Sequence, residues 1–223
     1  MGIEKFKNTL DFIKLTSKEI EESISTQKLI FVNKHDYVVE WKMKVPYFIP
    51  AFYRIVKKEN RIPSQDEFWK FYVATNSKWF DDNIGEDKKL FDALRARAYR
   101  TYPSLVRDVH FGIKLKESKL YSTVLHNDLL DIWYGIDLIV GKDGKAFGLN
   151  LFTQTKRAFA ARIQKKYRHI NLDNILKLEF PINMNKSFKC GEFFLYSNID
   201  IERLNVEIAK YFSYRKYIKS KNR

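Results

Sequence analysis

Residues 131–169 read DIWYGIDLIVGKDGKAFGLNLFTQTKRAFAARIQKKYRH. Two short apolar runs flank the Asp143-Gly144 step, a strong hairpin signal because both residues accept the left-handed backbone that a tight β-turn needs. The segments 134–140 and 145–153 are therefore expected to pair as antiparallel strands around the turn Gly141-Lys142-Asp143-Gly144. A helix is predicted over 155–168, where the chain carries six basic residues and no acid. Outward from this core, strands are expected at 109–116, 174–181 and 192–197 and a helix at 200–218. The order helix, three strands, helix, strand implies an α/β fold with a central mixed sheet and helices on both faces.

The preceding part of the chain reads as mixed and mostly helical. Phe6, Leu10, Ile13 and Ile20 lie at near-helical spacing over 4–24. Leu29–Val32 and Tyr37–Lys42 look β-rich, with residues 33–36 as a turn. Ser64 is a good N-cap: Glu67 three residues on completes a capping box, and Pro63 precedes it. The stretch IPAFYRIVKKENRIPSQDEFWKFYV thus reads as helix, turn, helix, a packing unit first and a DNA reader second. A long helix begins after Asn83-Ile84-Gly85-Glu86, with Leu90, Leu94 and Ala98 on one face. Pro103 is expected to interrupt it or to start a short second helix over Tyr102–His110. This divides the chain into a mostly helical extension, 1–85, and an α/β core, 86–223.

Composition narrows the function. A hydrophobic fraction of 45% over 223 residues argues for a folded core. The lone cysteine, Cys190, excludes an internal disulfide and a cysteine-based zinc cluster, and it fits a reducing cytoplasm. The lysine-bearing N-terminal stretch contains acids and no long apolar run, so it reads as neither a signal peptide nor a membrane span. The net charge is +14, and most of it resides in two blocks. Lys156, Arg157, Arg162, Lys165, Lys166 and Arg168 form one; Lys210, Arg215, Lys216, Lys219, Lys221 and Arg223 form the other. Such blocks attract phosphate through local field and counterion release, which points to nucleic acid, against the blander reading of a solvated face and a lysine-rich tail. Neither block carries the wide apolar face of a membrane-surface helix. In the tail, Tyr211, Phe212, Tyr214 and Tyr217 alternate with basic residues, a composition that serves base stacking and core packing alike.

Asp137 is the strongest chemical candidate. A carboxylate inside GIDLIV is costly unless it meets a metal or a base. Asn150, Phe152, Gln154 and Lys156 share one strand parity, and the hairpin can carry Asn150 and Lys156 to the sheet end that holds Asp137. The histidines His35, His110, His126 and His169 show no zinc spacing, and no nucleophile-elbow, Walker or dinucleotide glycine pattern occurs. Asp128 and Asp131 also suit a turn-capping role.

The run D-x-x-x-G-I-D at 131–137, the strand FGLNLF, the basic helix beginning TKRA and the order of elements together resemble the PD-(D/E)XK nuclease superfamily, the restriction-endonuclease-like fold, over about residues 86–197. The resemblance implies a metal-dependent DNA endonuclease with Asp137 as a metal ligand, Asp108 or Asp131 assisting, and Mg²⁺ or Mn²⁺ as cofactor. It implies double-stranded DNA as partner, in a homodimer or larger nuclease complex. Arg157, Arg162, Lys165, Lys166, Arg168, Arg215 and Lys216 would hold the nucleic-acid backbone. The family's E-x-K falls on Asn150-Leu151-Phe152, which has neither the carboxylate nor the lysine; Gln154 and Lys156 stand where members with a migrated lysine and an amide ligand compensate. The alternative is a noncatalytic nucleic-acid-binding module or accessory subunit on the same scaffold, and a third reading is a basic subunit that meets an acidic protein.

Overall fold

A computed structural model of the chain describes residues 5–32, 35–155, 170, 172 and 175–221, with side chains described as far as 214. The hairpin at its centre follows the expected register. β2 (Leu138–Lys142) pairs antiparallel with β3 (Lys145–Thr153), Lys142 opposite Lys145 and Leu138 opposite Leu149. Asp143 and Gly144 both adopt positive φ, 48° and 68°, the geometry of the two-residue turn that their sequence announces. β1 (Thr123–Leu125) flanks β2 antiparallel, and β4 (Ile175–Ile182) flanks β3 parallel, giving a mixed sheet of order β1-β2-β3-β4. A small hairpin of β5 (Phe188–Cys190) and β6 (Phe193–Leu195) stands apart from it. The fold is α/β, as the sequence implies.

The helices are α1 (Ser17–Ser25), α2 (Phe48–Glu59), α3 (Gln65–Thr75), α4 (Ser77–Asn83), α5 (Lys88–Ser118), α6 (Asp128–Tyr134) and α7 (Asn198–Lys221). On one face of the sheet Leu138, Val140, Phe147, Leu149, Leu151, Phe180 and Ile182 pack with Val109 and Phe111 of α5 and with Leu204 and Ile208 of α7. The same cluster extends to Phe52, Phe68 and Phe80, so residues on both sides of 83–86 share one core. On the other face, Ile139 packs with Leu125, Leu130, Ile136 and Leu172, and with the partly buried Ala146 and Ile175. Among the described residues no helix is long and apolar enough to cross a membrane.

Four local expectations are corrected. α5 runs unbroken through Pro103. A proline removes the N–H that would bond to the carbonyl four residues back; here the buried Gln65 side chain donates to that carbonyl, Tyr99 O, at 3.0 Å. The segment 109–116 is the end of α5 and not a strand. Its alternating Val109, Phe111, Ile113 and Leu115 are all buried, but so are His110 and Gly112, because this part of the helix is enclosed nearly all round and shows no amphipathic stripe. Gly112 belongs there by size: a Cβ would lie 2.9 Å from Leu10 Cδ1. Finally, Leu29–Val32 and Tyr37–Lys42 form no strand. Leu29 N and Ile30 N donate to the Glu192 and Gln65 side chains, each at 2.6 Å, and Val38–Lys42 is one wide π-helical turn whose first amides are held by Asp36. The helix expected over 4–24 divides into a 3₁₀ turn at Thr9–Phe12 and α1, which begins on a Thr16/Glu19 capping box.

Candidate active site

The motif DIWYGID is a helix stop and a strand start. Asp131 lies in α6; Gly135, at φ 62°, closes that helix by donating to Asp131 O at 3.1 Å, a left-handed position that suits glycine. The chain then turns into the sheet, and Asp137 arrives one residue before β2. Its amide donates to Leu149 O at 2.9 Å, and its Oδ2 accepts from Leu151 N at 2.5 Å. The carboxylate therefore takes up a β3 donor at the point where β2 begins, and the sheet itself holds it.

α5 brings Asp108 alongside. The residue is 17% exposed at its side chain, its Oδ1 accepts from Arg107 Nε at 3.2 Å, and Arg107 is itself buried. Burial raises the Asp108 carboxyl to about 7; the Arg107 guanidinium opposes the rise and the Asp137 charge adds to it. Asp108 and Asp137 thus feel each other across the gap between helix and sheet. From α2, Tyr53 enters the same region. Its phenol is raised well above the ordinary tyrosine value, first by burial and then by Asp108, Asp131, Asp128 and Asp137. The charges of all four aspartates act on this one hydroxyl.

His126, just after β1, ties these parts together. Its Nδ1 lies 2.8 Å from Asp137 O, and because a carbonyl only accepts, Nδ1 carries the proton. Its ring stacks on Tyr53 with centroids 3.9 Å apart and planes 13° from parallel. Its backbone is fixed from the N-terminal segment: His126 N donates to Asn8 Oδ1 at 3.1 Å and Thr9 N to His126 O at 2.8 Å. Asp128 is not a turn cap, since Asn127 caps α6; its Oδ1 stands 3.4 Å from His126 Nε2.

Asn150 is half-buried in β3 and pairs in register with Glu179 of β4. Both belong to the sheet face that carries Ala146 and Ile175, and strands this close set such partners about 4.8 Å apart at Cα. One step beyond the Leu138 to Leu149 pair, the ladder puts Asp137 opposite Asn150. Asp108, Asp131 and Asp137 therefore act together on the Tyr53 phenol, whereas Asn150, opposite Asp137 in the ladder, belongs to the sheet face turned away from α5. Gln154 is exposed past the end of β3, its amide donating to Ile182 O at 2.9 Å. Lys156, Arg157, Arg162, Lys165, Lys166 and Arg168 lie outside the described residues, as do the side chains of Arg215 and Lys216.

Sequence reasoning missed Tyr53, Arg107, His126 and Glu179. Tyr53 is hidden in the apolar stripe of α2 and Glu179 becomes relevant only through strand register. The polar triplet His126-Asn127-Asp128 between Leu125 and Leu129 was the one available signal. Among the described residues, no three of His, Cys, Asp and Glu converge as a ready metal cage. The acidic side chains that act on Tyr53 are carboxylates, hard donors of the type that Mg²⁺ or Mn²⁺ takes. A groove of about 530 Å³ lies elsewhere, lined by Lys142, Asp143, Asn205 and Phe212 at the far end of β2, on the order of 16 Å away by strand rise. No protein-family model, no curated protein and no solved structure matches this chain.

Proposed function

We propose that this protein is a metal-dependent DNA endonuclease with a PD-(D/E)XK-like centre, hydrolysing phosphodiester bonds at the sheet end built by Asp108 and Asp137. What carries the reading is that the Asp137 charge, at the start of β2, acts on the buried Asp108 carboxyl of the helix before the sheet, inside a protein whose net charge is +14. The order α5, β1, β2, β3, β4 around a mixed sheet supports the restriction-endonuclease-like fold. Glu179, in register with Asn150, adds a carboxylate on that face of the sheet.

Each residue has a definable task. Leu151 N–H fixes the Asp137 carboxylate. Asp108, raised to about 7, can take a proton from an attacking water at neutral pH. Arg107 keeps the two negative charges compatible. A divalent cation, when bound, supplies charge neutralisation and phosphate polarisation. Without a cation this end of the sheet repels phosphate, so the basic residues Lys156, Arg157, Arg162, Lys165, Lys166 and Arg168 are assigned to holding the DNA backbone and Lys156 to stabilising the transition state.

Asn150 favours a second reading, a nucleic-acid-binding module without chemistry, because an amide contributes no charge to metal affinity. Plasmid nicking with Mg²⁺ or Mn²⁺, beside EDTA and Asp137→Ala controls, separates the two. The nuclease reading expects metal-dependent nicking that falls at least 100-fold in the variant while salt-sensitive duplex binding remains. Duplex binding without nicking, indifferent to EDTA, would establish the second reading.

A further inference from the structure

The segment 30–47 leaves much of its aromatic surface in water. Phe31 is 74% exposed, Tyr37 65%, Tyr47 56% and Trp41 48%, and Ile30 and Val38 are exposed as well. Soluble chains expose single apolar side chains freely, whereas several gathered in one place mark a surface that meets something else. Hydrogen bonds to α5 gather these. Arg100 Nη1 donates to Val32 O, next to Phe31, at 3.3 Å, and its Nη2 donates to Glu40, next to Trp41. Arg97, one turn earlier, donates to Val39 O, and its guanidinium lies 6.0 Å from the ring of Phe48, next to Tyr47. In the π-helical turn Val38–Lys42 the buried residue is Val39, while Tyr37, which caps the turn, and Trp41, four residues on, are both exposed. One turn of α5 thus anchors the backbone beside each of these rings.

Charge indicates what covers them. The two acids of this segment are already engaged, Glu40 by Arg97 and Arg100 and Asp36 by the amides of Val38 and Val39. Lys42 and Lys44 are exposed and form no ion pair among the described residues, and the Lys42 ammonium lies 5.2 Å from the centre of the Tyr37 ring. Open rings interleaved with unpaired cations suit a polyanion that carries flat, accessible bases: a ring stacks on the face of any base, and ammonium groups meet the phosphates between them. A duplex keeps its base faces stacked on one another and offers none to the rings. An acidic protein segment matches the cations alone.

We propose that Phe31, Tyr37, Trp41 and Tyr47, with Lys42 and Lys44 among them, form a platform for single-stranded nucleic acid on which successive bases stack. The platform uses none of the residues of the Asp108–Asp137 site and does not depend on nuclease activity.

The test is the fluorescence anisotropy of a labelled oligothymidine of about 12 nucleotides, within the usual size of such sites, and of a labelled duplex, each titrated with the full chain in EDTA. Phe31→Leu and Trp41→Leu keep an apolar side chain and remove the ring. Each should weaken single-strand binding about tenfold, and the two together about 100-fold, with duplex affinity changed less than about twofold. Trp41→Phe should stay within about threefold of wild type, because a ring remains. Lys42→Gln with Lys44→Gln should flatten the dependence of log affinity on log salt by about 1.4 for the single strand. Absence of single-strand binding in wild type, or equal binding by wild type and the double leucine variant, overturns the inference. Equal loss for single strand and duplex also overturns it, since stacking would then not be what the rings supply. Sedimentation tests the other occupant: a wild-type dimer that the double leucine variant dissolves, with strand binding unchanged, assigns the patch to a second copy of this chain. Circular dichroism checks folding, and every substituted side chain is exposed. Should a leucine variant unfold, the salt dependence of the lysine pair decides. Plasmid that stays intact would sink the nuclease reading and leave this titration unaffected.

Discussion

Tyr53, Tyr72, Tyr102 and Tyr196 are among the six buried tyrosines of the described residues whose rings share one core, yet their hydroxyls have different fates. Tyr72 donates to Pro46 O at 2.8 Å, Tyr196 to Phe180 O at 2.7 Å, and Tyr102 to Gln27 Oε1 at 2.9 Å, with Pro63 O also in contact. Tyr53 has no such partner among the described residues, and the charges of four aspartates act on it. Much of the helical part obeys the rule that buried polar groups are paired, down to a glutamine that serves the carbonyl Pro103 leaves free, with His110 Nδ1 an exception. The open end of the sheet breaks it in several places at once. Local violations amid general compliance are where function is expected, since a protein keeps such a cost only where the groups serve another purpose.

The satisfied side of this comparison breaks most visibly at Gln65. Gln65→Leu would orphan the carbonyl of Tyr99 and the amide of Ile30, which the side chain now serves at 3.0 and 2.6 Å. The expected loss is about 3 kcal/mol in urea denaturation. Pro103→Ala in the Gln65→Leu background returns an N–H to Tyr99 O and should recover about 1 kcal/mol more than the same change in wild type. Additive effects would show that the glutamine does not replace the lost helix bond.

At the unsatisfied end the sign reverses. A carboxyl raised from its usual value to about 7 in the folded state binds a proton more tightly there than in the unfolded chain. Its contribution to stability is therefore fully present below the unfolded value, near 4, and is lost as pH rises through about 7. Asp108→Asn removes this penalty. In EDTA it should be more stable than wild type by about 2 kcal/mol at pH 8, with the gap closing toward pH 4. The same variant should lose nicking activity. A stability difference that does not change with pH would mean that Asp108 is not desolvated beside Asp137.

How far the sequence foretold this contrast depends on what each feature needs. Asp143-Gly144, Gly135 and the Ser64/Glu67 capping box act within a few residues, and each stands in its expected role. Enclosure defeats local reading at 109–116, where Val109, Phe111, Ile113 and Leu115 alternate like a strand because neighbours surround the helix. Continuation through Pro103 depends on a glutamine far away in sequence. The candidate site divides in the same way. Asp137 was legible as a charge in an apolar run, whereas Glu179 depends on the β3–β4 register and Tyr53 on how α2 lies against His126. Contacts of this kind become readable only after the strands have been paired.

The smallest predicted effect tests the comparison most directly. Tyr72→Phe deletes a hydroxyl and leaves Pro46 O without its donor, so it should cost about 1 kcal/mol. Tyr53→Phe deletes a hydroxyl that has no partner, keeps the ring stacked on His126, and should be neutral or stabilising by about 0.5 kcal/mol in metal-free buffer. Equal costs for the two substitutions without metal would mean that the Tyr53 hydroxyl is as well satisfied as its counterpart. The contrast between the two ends of the molecule would then rest on Asp108 and His126 alone.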